Sequence, residues 1–580
     1  MIGELLPGAA HPALYALLGA PVIGFLQGRA RMALMIAVPL LGLWNLFLLP
    51  ADFVQEVEFL GLPLVLSEMT KLSFVFGLLF HLGMLVSGVF ALGVEDRMQT
   101  VPSLLYPASA IGAVFAGDWL TLFACWEVLA VSSVFFIWAR RTDRAIAAGQ
   151  RYLVQQIISG LLILAGVALR SGAGADLEVG WFGSLTEELA AGGAGAILIL
   201  LGVGVKCAFP LLHTWLVDGY PEGTATGSVY LSGFTTKVAV CTLVRTFAGA
   251  EALVLIGGVM AIFPIIYAVI ENDLRKTLGY SMINQIGFMV VGIGFGDAWG
   301  VNGAVAHAFN DVFFKGLLFM SMGAVLLRTG RTGGHELGGL YKSMPQTTLL
   351  CCVGAASISA FPLFSGFVSK SLIMVSAYEN HSTVIYFLLL LASTGVVKHA
   401  GIKIPFFAFF AHDSKLRVEE APLHMRVGMG LSALLCVGIG CGGFLYLYQL
   451  LPLAFPETPH QYTWGHVAEQ MQILFFASLA FTWLFVKGIY PPEIPSTNLD
   501  ADWLPRKLWR GINAVIVGPF ARGAGRCDAL LLDRLPRRVA ATHPIAAAEE
   551  RMGLNWRISA PTVIVMIALL GFLILNYARR

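Results

Sequence analysis

Charge is what this chain has least of. Only 12% of its 580 residues are Asp, Glu, Lys or Arg, about half the share carried by soluble domains. The two signs nearly cancel, at a formal net charge of +2, so there is no basic excess of the kind that draws nucleic acid. No CxxC spacing occurs among the 8 cysteines, so neither a zinc nor an iron–sulfur site is indicated. Cys125, Cys207, Cys241, Cys351, Cys352, Cys436 and Cys441 lie within or beside apolar runs and read as free thiols packed as small apolar residues. No G-x-G-x-x-G follows a strand, and no P-loop, HExxH or GxSxG is present. No cofactor or metal is therefore expected, and the chain does not read as an enzyme. The N-terminus also lacks the basic start of a cleaved signal, so its first apolar run reads as a retained helix.

What the chain has in quantity is apolar length. Hydrophobic residues make up 57% and mean hydropathy is +0.77. Apolar runs of about 20 residues, the length that spans a bilayer, recur along it. Sixteen candidate spans fall near 5–27, 32–50, 72–93, 101–116, 119–138, 147–169, 192–213, 226–247, 252–270, 276–296, 300–327, 347–377, 383–404, 427–451, 469–488 and 559–577. The fold class is all-α and polytopic. The basic connections, "ARRTDRA", "ENDLRK", and those holding Arg328, Arg331 and Lys342 or Lys415, Arg417 and Arg426, all follow odd-numbered spans. Connections after even spans are acidic or neutral. The positive-inside asymmetry then leaves both termini outside the cytoplasm.

Two runs share a tetrapeptide: "KCAFPLLHTWL" at 206–216 and "SAFPLFSGFVSK" at 359–370. Their prolines are 362 − 210 = 152 residues apart and five spans apart, so the two segments cross in opposite directions. A proline inside a span breaks the helix, and paired broken helices of opposite orientation point to an inverted repeat with ion sites near the midplane.

Ionisable groups then appear where they are costly, at ~2.5–3.5 kcal/mol each by insertion scales. Glu127 sits midway in "LTLFACWEVLAVSSVFF", Lys206 precedes the first AFPL, and Lys237 is central in "GSVYLSGFTTKVAVCTLV". His307, Asp311 and Lys315 follow at i, i+4, i+8 in "AVAHAFNDVFFKGLLFM", on one helical stripe, and Lys370 closes the series. A buried lysine beside a carboxylate can change protonation when its partner moves, so the row reads as a proton path. The alternative is that Glu127–Lys206 and Asp311–Lys315 are static pairs that lock helices together. His213 and His399, near span ends, read as solvated.

The chain resembles the antiporter-like subunits shared by respiratory complex I, membrane-bound hydrogenases and Mrp-type cation/proton antiporters. The resemblance rests on "GVKCAFPLLHTWLVDGYPEGTATGSVYLSGFTTK", "ENDLRKTLGYSMINQIGFMVVGIG", "HAFNDVFFKGLLFMSMGAVLLRTGR", "LGGLYKSMP" and "SAFPLFSGFVSK". It implies about 14 core helices with two inverted five-helix repeats. It also implies a first half-channel built on Glu127, Lys206 and Lys237, a bridge at His307 and Lys315, and an end at Lys370. Asp311 departs from the family pattern, as an extra acid that could tune Lys315 or bind a cation. "SISAFPLFSGFVSKS" and "RTGRTGGHELGGL" look most like the D-type subunits of Na⁺/H⁺ antiporters. The resemblance thus implies a proton-translocating subunit of an Mrp-type complex, or else the pumping arm of a complex I-like oxidoreductase or hydrogenase. It implies other membrane subunits, protons and Na⁺ as partners, and an inner (plasma) membrane location. The expected divisions are 1–100, the repeats 101–250 and 251–410, then 411–490, an interfacial segment 491–556 and a last span at 557–580. In the interfacial segment Leu504, Leu508, Ile512, Ile516 and Phe520 recur opposite Arg506, Lys507 and Arg510.

Overall fold

The computed structural model describes residues 10–59, 61–183, 193–495, 498–503 and 506–508. The described residues are 72% helical, and eleven helices among them are long and apolar enough to cross a membrane. Residues 1–500 form one compact unit and 501–580 a second. In the second, Arg506 pairs with Asp502, and the Lys507 ammonium lies 4.8 Å from the Trp503 ring centre. The rest of the expected interfacial helix and the final span lie outside the described residues.

The spans begin where a short polar side chain can take up the first free amides of a helix. Asp118 accepts from Leu120 and Thr121 ahead of Trp119–Trp138, and Asp273 accepts from Arg275 and Lys276 ahead of Leu274–Phe295. Thr142 and Asp297 cap Asp143–Gly172 and Ala298–Thr329 in the same way. Two of these helices end on glycines in the left-handed region, Gly296 and Gly330, where a side chain would be strained.

The two AFPL segments are breaks, as their prolines suggest. Ala194–Lys206 stops and Thr214–Gly219 resumes; Pro345–Ile358 stops and Ser365–Glu379 resumes. The breaks share one backbone. Ala208 and Leu211 have φ of 59° and 70°, and Ala360 and Leu363 have φ of 57° and 75°. The same amides meet the same carbonyls: Cys207 to Val203, Ala208 to Val205, Phe209 to Gly204 and Leu212 to Phe209. Their counterparts are Ser359 to Ala355, Ala360 to Ser357, Phe361 to Ala356 and Phe364 to Phe361. The sequence marks the proline; the four left-handed non-glycine residues are the structure's addition.

Three further features depart from uninterrupted helices. The 226–247 span is divided at Phe234 (φ −117°, ψ −63°) into Gly227–Gly233 and Thr235–Phe247. The 383–404 and 427–451 spans contain π-helical turns at Val397–Ile402 and Ile439–Gly443, and a third, Phe406–Phe410, follows just beyond the first of them. The expectation of an all-α chain also needs one amendment. Val54–Phe59 and Leu62–Glu68 pair as an antiparallel hairpin, and Gly61 at φ 76° makes its turn.

The connections sort onto two faces. On one, Arg140 and Arg144 both pair with Glu222, Arg275 donates to the carbonyls of Gly223 and Thr224, and Arg328 donates to that of Glu420. Lys342 meets Asp413 there as well. On the other, Arg245 meets Glu68, Asn380 meets Asp297, and Asn302 meets Leu453. Connections after odd spans touch one another, and so do connections after even spans.

Candidate functional site

Lys206, Lys237, His307, Asp311 and Lys315 are 0% exposed and Lys370 is 4% exposed. Four lysines, a histidine and an acid of this kind cannot be surface solubilising groups, so each needs an internal partner. Glu127 differs. It is half-buried, at the wall of a cavity of about 530 Å³ lined by Arg97, Val101, Leu105 and Val131.

In the first repeat, the end of Ala194–Lys206 brings Lys206 to the backbone of Trp126. Its Nζ donates to the Trp126 carbonyl at 2.7 Å and lies 4.4 Å from the indole centre. Glu127 is the next residue, but no Glu127–Lys206 ion pair forms. The Glu127 Oε1 has no hydrogen-bond partner and lies directly over Gly160, where a Cβ would collide with it. The two charges are joined through Trp126 rather than directly.

The break at Phe234 positions Lys237. The Tyr106 hydroxyl accepts from the Thr235 amide at 3.0 Å and lies 2.7 Å from the Thr235 hydroxyl. That fixes the first turn of Thr235–Phe247, on which Lys237 sits. Its Nζ meets Asp311 Oδ2 at 2.5 Å and the Ser232 carbonyl at 3.2 Å. Asp311 thus answers the first repeat's lysine. The i, i+4 spacing pointed to Lys315 instead, but Lys315 donates to the Ser281 hydroxyl at 2.7 Å. The pair Lys237–Asp311 therefore ties Thr235–Phe247 to Ala298–Thr329 inside the protein. Asp311 Oδ1 has no hydrogen-bond partner.

His307 lies between the Ser369 hydroxyl (2.9 Å from Nδ1) and the Gln285 amide oxygen (3.1 Å from Nε2). Gln285 donates to Asn284, which donates to the Ala261 carbonyl. Lys370 turns back to the second break. Its Nζ donates to the Ile358 carbonyl at 2.9 Å and lies 5.2 Å from the Phe288 ring centre. Ile358 is four residues before Pro362, whose ring nitrogen carries no proton, so the lysine occupies the carbonyl that the break sets free.

Both histidines read as solvated are buried. His213 is 2% exposed, with Nε2 at 3.1 and 3.2 Å from the Asp500 carboxylate oxygens. His399 is 0% exposed on the Val397–Ile402 π-turn, and neither ring nitrogen has a hydrogen-bond partner. Sequence reasoning also passed over Gln285, Asn284, Ser281 and Lys403. The polar pair in the middle of "SMINQIGFMVV" was a usable signal for the first two. The seven described cysteines are free thiols. Among the described residues no group of three or more His, Cys, Asp or Glu side chains could hold a metal ion.

Residues 116–395 match the family model of the transmembrane region of NADH:quinone oxidoreductase and Mrp antiporters. Hydrogenase-4 component B of Escherichia coli (strain K12) is 25% identical over 451 residues, 71% of this chain and 67% of that protein. The D-type subunit of the Na(+)/H(+) antiporter of Alkalihalophilus pseudofirmus is 28% identical over 290 residues, 48% of this chain and 59% of that one. The matched stretches span 56% to 67% of the length of the curated relatives. Among solved structures, one from an archaeal membrane-bound sulfane sulfur reductase superposes with a TM-score of 0.71 at 21% identity, covering 98% of this chain and 99% of its own. The chain is a multi-pass membrane protein, and its residues 116–395 are similar to the transmembrane region of the NADH:quinone oxidoreductase/Mrp antiporter family.

Proposed function

We propose that the chain is the proton-translocating subunit of a multisubunit membrane complex that exchanges Na⁺ for protons in the Mrp manner. The observation that carries the reading is the buried pair Lys237–Asp311, flanked by Lys206, Lys315 and Lys370 in a protein interior with no water-facing use for them. A buried ion pair is held by mutual compensation, and a proton arriving on the acid removes that compensation. In this reading Glu127, Lys206 and Lys237 carry protons through the first repeat. Asp311 accepts one in exchange for its contact with Lys237, which frees the lysine charge to act on the next carrier. His307 and Lys315 pass the proton along the Ala298–Thr329 helix, and Lys370 releases it. The complex sits in the plasma membrane with both termini outside, so that the face gathering Arg140, Arg275 and Arg328 meets the cytoplasm.

The test is proton uptake by vesicles holding the purified complex. Lys206→Ala is expected to abolish coupled transport while the complex assembles; normal transport in that variant overturns the reading. For orientation, a cysteine placed in 141–145 is expected to react with impermeant thiol reagents from the cytoplasmic side alone.

A second reading, the pumping arm of a redox complex, is favoured by the 451-residue alignment with hydrogenase-4 component B. Purifying a tagged chain separates the two, because companions carrying flavin or iron–sulfur clusters support the second.

A further inference from the structure

We propose that Asp500 is the proton-collecting carboxylate of the first repeat. In this role it takes protons from the face of the basic connections and delivers them through His213 toward Lys206. The inference rests on the proton-translocating function proposed above.

The segment following Trp464–Val486 is fastened to that face at two points before it reaches Asp500. Glu493 pairs at 2.8 Å with Lys403, whose side chain is 0% exposed and whose Nζ also donates to the Val269 carbonyl at 2.9 Å. Asn498 donates to Glu271 at 3.1 Å, and Glu271 pairs with Lys276 at 2.9 Å. These contacts leave Asp500 between two spans. Its Oδ2 accepts from the Tyr280 hydroxyl at 2.7 Å, and both oxygens lie against His213 Nε2. Tyr267 stacks on Tyr280 at 5.1 Å and Phe263 lies 4.8 Å from the His213 ring, so one side of the dyad is sealed by aromatic rings.

Three features give the arrangement a direction. The Asp500 side chain keeps 8% of its surface exposed and His213 keeps 3%, whereas Lys206 keeps none. His213 immediately precedes Thr214–Gly219, at the far edge of the helix break that Lys206 opens. Its second nitrogen, Nδ1, is buried without a hydrogen-bond partner. A histidine that served only to anchor Asp500 needs one nitrogen, and this one has a second that is desolvated and unused, which costs stability unless it is put to work. The proton balance is simple. Asp500 takes a proton from water, passes it to Nε2 of a neutral imidazole, and returns to carboxylate. The imidazolium then loses its other proton from Nδ1 into the break, which leaves the Nε2–H tautomer donating to the Asp500 carboxylate, and a rotation of the ring resets it for the next transfer.

Asparagine at 500 keeps the shape and one acceptor but carries no exchangeable acid proton. In vesicles holding the whole complex, Asp500→Asn is expected to slow proton transport about 100-fold, the low end of the range for loss of a positioned proton carrier. Its thermal stability should be unchanged, and Asp500→Glu should restore most of the rate. The slowed variant should also speed up as an impermeant buffer, MES, is raised on the collecting face, because the buffer acid then replaces the missing carboxyl. An anchoring role gives no such dependence. Wild-type rates in Asp500→Asn, or a loss that MES does not relieve, overturn the inference. Wild-type complex serves as the control: if it moves no protons, the proposed function falls. If it moves them and Lys206→Ala does not, while Asp500→Asn transports normally, this inference alone falls.

Discussion

The two helix breaks are alike in backbone and unlike in charge. Residues 203–212 and 355–364 share left-handed positions and the same four amide-to-carbonyl bonds. At the 152-residue offset, however, Lys206 corresponds to Ile358, and Lys370 corresponds to Asp218. The first break carries its lysine on the helix that enters it, facing Trp126. The second carries its lysine on the helix that leaves, turned back onto Ile358. Asp218, where the second repeat has its lysine, pairs with Arg151. Duplication of a fold therefore does not duplicate its chemistry. The broken backbone supplies free carbonyls in both halves, and each half decides separately which cation uses its surroundings.

The strongest attack on that comparison is to cut the contact between the halves. Asp311→Ala leaves Lys237 buried and unpaired and is expected to cost about 3–5 kcal/mol, read as a lower unfolding temperature of the purified chain. Lys237→Met with Asp311→Leu should recover most of that loss, since removing both charges together removes the desolvation cost. Neither should transport. A double variant that stays as unstable as the single one would mean that the pair does not hold the halves.

Next come the lysines themselves. Lys370→Met is expected to bring vesicle transport to background, while Lys370→Glu, which still titrates, should retain a measurable part. If both transport equally, the second lysine is structural and the halves differ more than proposed.

A smaller effect is expected at Gly160. Its Cβ would meet the end of the Glu127 side chain, which can swing away into the adjoining cavity. Gly160→Ala should therefore lower transport several-fold at nearly unchanged stability, and a large stability loss would mean that Glu127 is clamped.

The smallest concerns the backbone shared by both breaks. Left-handed φ costs a side chain ~1–2 kcal/mol, so Ala208→Gly and Ala360→Gly should each be neutral or stabilising by about 1 kcal/mol or less, and by similar amounts. Unequal responses in chemical denaturation would show that the twin geometries are not equally strained.

These regions also show what a sequence can and cannot disclose. A proline or lysine inside an apolar run stands out against its neighbours, so the breaks at Pro210 and Pro362 and the buried residues from Lys206 to Lys370 were legible. So was the alternation of basic connections. Partner choice was not. Asp311 has Lys315 one turn away, and only packing sets Lys237 closer. His213 looked like a span-end residue because its partner, Asp500, lies 287 positions later. The π-turn that buries His399 inserts residues without any compositional mark. The hairpin at 54–68 was hidden because a short amphipathic stretch between two spans reads as a connection.

The Ile358 carbonyl has a consequence in time as well as in space. With most residues at position 362, the helix would heal each time Lys370 moved off, because an amide proton would be waiting to claim the vacant oxygen. Proline offers none. In the proposed path the oxygen would therefore stay open while the lysine is away, and an imino acid that contributes no bond at all would keep the outlet's place from one turnover to the next.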